Sequence, residues 1–170
     1  MSSPLSAQIL PEDGDPVVVI NGLRLDVLEG AFSYYIRTLD QAVSRDLDQR
    51  MAGLEVAHGK GKITTLLLVD DYPGIRPSMI AEVLMRDRPS TGRIIDTLVG
   101  HGLIQRQADP EDQRAQSLSI TPHGHEVAEQ VRQVVREQER DFFDFIAPED
   151  RQQFMRLLKR AYLGMRQKWG

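Results

Sequence analysis

The sequence predicts a mainly α-helical chain in which three short helices and a β-hairpin sit between long helices supplied by both ends. Three observations predict it. Apolar residues recur at spacings of three and four over residues 23–50 and again over 122–169. In the middle, Pro73-Gly74, Met85-Arg86 and the pair Gly100 and Gly102 cut the helical pattern into short pieces. After Gly102 the pattern changes to short strand-like runs, of which Ser117-Leu118-Ser119-Ile120 alternates in strict period two.

The chain has 170 residues, 41% of them apolar, enough for one compact core. It has no Cys, which removes disulfides, thiolate metal sites and cysteine-based oxidant sensing, and suits a reducing, cytoplasmic location. Met1 to Pro16 lacks the apolar region of a signal peptide. No apolar run approaches the roughly 20 residues that span a bilayer, so no membrane partner is expected. The net charge of −4 argues against nucleic acid, but the charge is uneven. Residues 1–30 hold five acids against Arg24, whereas 76–106 hold Arg76, Arg86, Arg88, Arg93 and Arg106 against Glu82, Asp87 and Asp96. The local field matters more than the sum.

Taken in order, residues 1–22 contain three prolines, scattered acids and the burst Val17-Val18-Val19-Ile20, and read as an acidic extended arm. From Leu23 the residues Leu25, Leu28, Phe32, Tyr35, Leu39, Ala42 and Val43 predict a helix running to about Arg50 and ending near Gly53, with an apolar stripe suited to a partner. A second helix is predicted over His58–Tyr72, ended by Pro73-Gly74. A third starts at Pro77. Asp87 is placed to cap a fourth, which buries Thr91, Ile94, Ile95 and Leu98. Strands are expected over Leu103–Gln107 and Gln116–Ile120, joined by a polar tip. Thr121-Pro122 starts a fifth helix with Val127, Val131, Val134, Phe142 and Phe145 on one face. Pro148 breaks it, and a sixth follows with Phe154, Leu157, Leu158, Ala161, Met165 and Trp169. The boundaries are therefore an arm over 1–22, a dimerisation helix over 23–53, a lobe over 54–124 and C-terminal dimerisation helices over 125–170.

Two short helices joined by a tight turn and followed by a hairpin form a winged helix-turn-helix. The second helix of the pair must offer polar side chains to base edges while its other side packs. Its outward positions are Arg88, Pro89, Ser90, Gly92, Arg93 and Asp96. Short Ser90 and Gly92 let the helix sink into a major groove, and Arg93 reaches a guanine edge or a phosphate. Arg88 lies near the helix start, whose free amides favour phosphate. Arg114 stands where a hairpin tip enters a minor groove. The plainer alternative is a solvated basic face on a winged-helix module that binds another protein and does not read DNA.

Specific residues carry a resemblance. Pro73-Gly74-Ile75, Ile80-Ala81, Ser90 through Arg93, Leu98 and Gly102-Leu103-Ile104 look like the helix-turn-helix of the MarR family. The wing run Arg106, then Asp109-Pro110-Glu111-Asp112-Gln113-Arg114, then Ile120-Thr121-Pro122-His123-Gly124, is similar to that family's wing and the helix start behind it. The resemblance covers roughly residues 23–168. It implies a homodimer held by the first and last two helices, binding to double-stranded DNA at a palindromic operator, and repression relieved by a small ligand. By position it makes Arg114 the wing-tip arginine, Asp112 the residue that shapes the tip, and Arg93 the recognition-helix arginine. The DNA-binding set is then Arg76, Arg88, Pro89, Ser90, Thr91, Arg93, Arg106, Asp112 and Arg114. Gly92 departs from the longer polar residue usual there, and Arg76-Pro77 replaces a common Ser-Gln.

Other signals point elsewhere with less force. Gly59-Lys60-Gly61-Lys62 resembles a phosphate loop, but a Walker motif needs Ser or Thr after its Lys, and Ile63 follows here. His123 and His125 lack a completing acid or Cys at metal-ligand spacing, so no metal or other cofactor is expected. No nucleophile elbow is present, so an enzyme is not expected. Tyr34, Tyr35, Arg37 and Lys62 are the groups that suit a small anionic aromatic effector; core or interface packing is the competing use of the two tyrosines.

Overall fold

The computed structural model describes residues 7–12, 15–108 and 116–169. Internal packing divides the chain into two units, with the break between Ser44 and Arg45, inside a helix.

The first unit is not the extended arm predicted from the sequence. Strands β1 (Ala7–Glu12), β2 (Asp15–Ile20) and β3 (Leu23–Arg24) form an antiparallel sheet in the order β1-β2-β3. Ala7 pairs with Ile20 and Glu12 with Asp15, while Ile20 pairs with Leu23. The β2–β3 connection is the two residues Asn21 and Gly22, both at positive φ (52° and 79°). Such a pair matches the twist of adjoining strands, which is why Asn-Gly makes two-residue hairpins. The same turn corrects the predicted start of the first helix. Leu23 and Arg24 are drawn into the sheet, Asp26–Leu28 form one 3-10 turn, and α1 starts only at Phe32 and ends at Arg50. The Glu29 carboxylate accepts a hydrogen bond from the Val18 amide at 2.6 Å, tying this turn to β2.

The second unit holds the end of α1 and then α2 (Lys60–Asp71), α3 (Pro77–Leu84), α4 (Arg88–Gly100), β4 (Ile104–Ala108), β5 (Gln116–Ile120), α5 (Pro122–Asp141) and α6 (Pro148–Trp169). This is the predicted winged helix-turn-helix order. The core is built from Leu66 and Val69 of α2, Ile80 of α3, Ile95 and Leu98 of α4, Leu103, Ile104 and Leu118 of the strand region, and Val127 and Val131 of α5. Burying each such side chain contributes about 1.5–3 kcal/mol, so this cluster fixes the lobe. Gly74 and Ile75 add a third strand-like piece: the Gly74 amide donates to the Leu118 carbonyl and the Leu118 amide to that of Ile75.

In the hairpin, Ile104 pairs with Ile120 and Ala108 with Gln116, antiparallel. Helix α5 ends at Asp141, earlier than its apolar pattern predicts, and Phe145 is exposed beyond it. No helix among the described residues is long and apolar enough to cross a membrane.

Candidate nucleic-acid interface

The turn between α3 and α4 sets the direction of the second helix. Met85 closes α3 in the left-handed conformation (φ 51°, ψ 44°), and the Arg86 amide returns to the Ala81 carbonyl at 3.0 Å. This is the geometry in which glycine usually ends a helix. Asp87 is then extended, and its carboxylate accepts the Ser90 amide at 2.7 Å and the Ser90 hydroxyl at 3.0 Å. These hydrogen bonds hold the Asp87 carboxyl below the usual carboxylate range, with the nearby Arg93 charge adding to them. The cap leaves the chain turned sharply and starts α4 with Arg88 and Pro89 in its first turn.

Along α4, one polar stripe and one apolar stripe separate cleanly. Ile95 and Leu98 are buried, whereas Arg88, Pro89, Arg93, Asp96 and Thr97 are exposed and Ser90 is half-buried. Arg93 Nη2 donates to Ser90 Oγ at 3.2 Å, so cap and guanidinium form one chain of hydrogen bonds, Asp87–Ser90–Arg93. A guanidinium on a neutral hydroxyl keeps its charge and most of its donors for a partner. Thr91 lies inward, 1% exposed, with its hydroxyl on the Asp87 carbonyl, and so braces the helix start. Arg106 of β4 is exposed and pairs with Asp96 of α4 at 2.6 Å, which fixes the hairpin against the helix. Sequence reasoning treated Arg106 and Asp96 separately; only the fold brings them together. Arg76 is the half-buried residue before α3. Asp112 and Arg114, expected at the wing tip, lie outside the described residues.

In the first unit, Tyr34 and Tyr35 are half-buried and meet edge to face at 5.3 Å, and Arg37 is exposed. The Lys62 ammonium in the second unit donates to the Glu55 and Ala57 carbonyls at 3.2 and 2.7 Å, holding the turn before α2.

The two histidines at the start of α5 serve the packing of that helix. His123 Nε2 meets Glu55 at 3.1 Å and His125 Nδ1 meets Asp70 at 2.7 Å. Asp70, 6% exposed, also receives Arg132 at 2.7 Å. The first influence on its carboxyl is burial, which raises its affinity for a proton; the hydrogen bonds and charges of His125 and Arg132 outweigh it and leave the carboxyl below the ordinary range. No cluster of three metal-ligating side chains occurs among the described residues.

Residues 61–115, from the start of α2 to the end of the hairpin loop, match the MarR family. The match lies within the central lobe. A Thauera aromatica protein described as a transcriptional regulatory protein for the hcr operon is 26% identical over 152 residues, 89% of each chain. Among solved structures, the MarR protein of Peptoclostridium difficile superposes with a TM-score of 0.77 at 24% identity, covering 86% of this chain and 95% of that one. The repressor CouR, solved on a 23-mer DNA duplex, gives 0.75 at 23% identity, covering 82% and 98%. MepR of S. aureus, solved with DNA, gives 0.70 at 21%, covering 80% and 99%. In this winged fold, α3 and α4 are the helix-turn-helix and β4–β5 the wing, so the polar stripe of α4 is the candidate reading surface.

Proposed function

We propose that this MarR-family DNA-binding regulator is a repressor that reads a palindromic operator as a homodimer and is released by a small ligand. The observation that carries the reading is the exposed stripe of α4, where a capped helix start presents Ser90 and Arg93 joined by a hydrogen bond. A side chain reads bases only if its own position is fixed, and the Asp87 cap fixes this one. The DNA complexes of CouR and MepR support the reading through their shared fold.

In this reading Arg93 contacts a base edge, Arg88 and Arg76 contact phosphates, and Arg106 holds the hairpin against α4 through Asp96. Asp112 and Arg114 shape and supply the tip of the wing. Tyr34, Tyr35 and Arg37 of the first unit and, separately, Lys62 of the second remain groups proposed for contact with an anionic aromatic effector. Such a ligand releases DNA only through unequal affinity for the DNA-competent and DNA-incompetent geometries, typically about 1–3 kcal/mol.

The test starts with selection of bound sequences from random DNA. On the selected operator, Arg93→Ala should lose about 1–3 kcal/mol and relax preference at one position per half-site. On a scrambled duplex it should change little. Equal loss on both duplexes would reassign Arg93 to phosphate. If no duplex is selected at all, the lobe is a protein-interaction module.

A further inference from the structure

Of the Gly59-Lys60-Gly61-Lys62 run, only Lys62 has a role in the proposed function. The fold puts this run at the first turn of α2, directly opposite the polar stripe of α4, with a cleft of about 520 Å³ between them. One wall is Ser90, Arg93 and Thr97, spaced three and four apart and therefore in line along α4. The other is His58 and Lys62, with Arg86 at the turn before α4. Every ionisable group lining the cleft is basic. Lys62 is held by two neutral carbonyls, so its charge is not cancelled where it stands, while Arg93 is held by the Ser90 hydroxyl with the Asp87 carboxylate behind it. His58 does have an acidic neighbour, Asp48, at 3.7 Å.

The glycines have a packing role here. A Cβ on Gly61 would meet the tip of the Ile94 side chain at 2.6 Å, so glycine spares Ile94 a change of rotamer where α2 passes α4. The run is not a nucleotide-binding loop: it follows no strand, and Lys62 points back at the carbonyls of residues 55 and 57.

We propose that this cleft is an oxyanion site that takes one backbone phosphate of the operator in each half-site, through Arg86, with the Lys62 ammonium and the His58 ring beside it. The inference rests on α4 being the reading helix. A duplex seated on Arg93 runs along the stripe that also forms a cleft wall, so a phosphate on its flank meets the opening. Phosphate contacts fix register and carry no sequence information, which suits a site built from a turn and long cations. Phosphate held this way would set how far α4 enters the groove, and so would position Arg93.

The test uses the full chain, a selected operator and its scrambled counterpart. Arg86→Gln, at an exposed position, should weaken both duplexes by a similar factor, on the order of threefold to tenfold, and lower the salt slope by about one per half-site. Replacing operator phosphates one at a time with neutral methylphosphonate should locate one position per half-site where the wild type loses the same factor and Arg86→Gln loses nothing more. Wild-type affinity and salt slope for Arg86→Gln would overturn the proposal while leaving DNA binding intact. Protection of the wild type but not of Arg86→Gln by inorganic phosphate, with operator binding unchanged in both, would also overturn it, assigning the cleft to a free oxyanion. Failure of the wild type to bind any selected duplex is a different result: it removes the DNA-reading assignment on which the inference stands.

Discussion

Gly124 and Thr121 join the wing to α5 at one point. The Thr121 hydroxyl meets the Gly102 and Leu103 carbonyls at 2.6 and 3.0 Å and accepts the Gly124 amide at 2.9 Å, so one side chain caps α5 and pins it to the end of the α4–β4 turn. A Cβ on Gly124 would lie 1.8 Å from the Leu103 carbonyl oxygen, a backbone atom that cannot swing aside. Gly124→Ala should therefore destabilise the fold by about 1–3 kcal/mol or more, as overpacking does. Gly100→Ala, with nothing within 4 Å of its Cβ, is the control and should be neutral or mildly stabilising. Urea midpoints of the two variants check the contrast; equal midpoints would show that α5 slides freely over Leu103. The Asp87 cap makes a second case. Asp87→Ala should cost about 1 kcal/mol of stability. It should also weaken operator binding beyond that, because Ser90 and Arg93 lose their anchor; a binding titration on a demonstrably folded variant measures this. The Thr121-Pro122 helix start and the Asp87 cap were both legible in the sequence, because local chemistry alone demands them, whereas Gly124 answers to the distant Leu103 carbonyl. The Arg106–Asp96 pair was not, since it joins residues ten apart on two elements whose packing no local pattern encodes.

At the scale of elements, α2 and α5 are held together by charge as well as by the core. Asp70 of α2 receives His125 and Arg132 of α5, and Arg132 also reaches Asp71 and Glu129, each at 2.6 Å. The Asp70 hydrogen bond raises the His125 pKa above its ordinary 6.5, with the Asp70 charge adding to it. Stability from a raised histidine pKa is fully present below the unfolded value of 6.5 and is lost as pH rises through the higher folded value. Wild type should therefore lose stability relative to His125→Gln as pH rises from below 6.5 to well above it, and denaturant midpoints across that range test the sign. A constant difference between the two would mean that His125 titrates alike folded and unfolded. Asp70→Ala should lower the urea midpoint near neutrality only modestly, because Arg132 keeps Asp71 and Glu129 and the exposed His125 turns to water. At this scale the sequence was uneven. The capped short helices and the β5 alternation were readable. The N-terminal sheet was not read, although Asn21-Gly22 beside Val17–Ile20 is a strong hairpin signal. The apolar spacing of Leu25, Leu28 and Phe32 was read as helix instead, since a short apolar run fits either period.

The whole molecule leaves two helices short of neighbours. In α6, Leu157 (53% exposed), Leu163 (58%) and Trp169 (70%) face outward, and on the first unit's part of α1 so do Phe32 (87%) and Ile36 (61%). A chain does not keep such surface in water without a partner for it. A second copy supplies one by symmetry, since each copy presents the same faces. The end of α6 also touches the reading lobe: Arg166 Nη1 donates to the Glu82 carbonyl, in the last turn of α3, at 2.5 Å. The interface should be of the obligate class, about 2,000–5,000 Å². Light scattering at micromolar concentration should give twice the 19.3 kDa chain mass. The double variant Leu157→Glu with Leu163→Glu should run as a monomer, keep the helical circular dichroism of the lobe and bind a half-site no better than the wild type binds a scrambled duplex. A monomeric wild type that binds the full palindrome tightly would remove the two-half-site reading and leave the apolar face of α6 to a different partner.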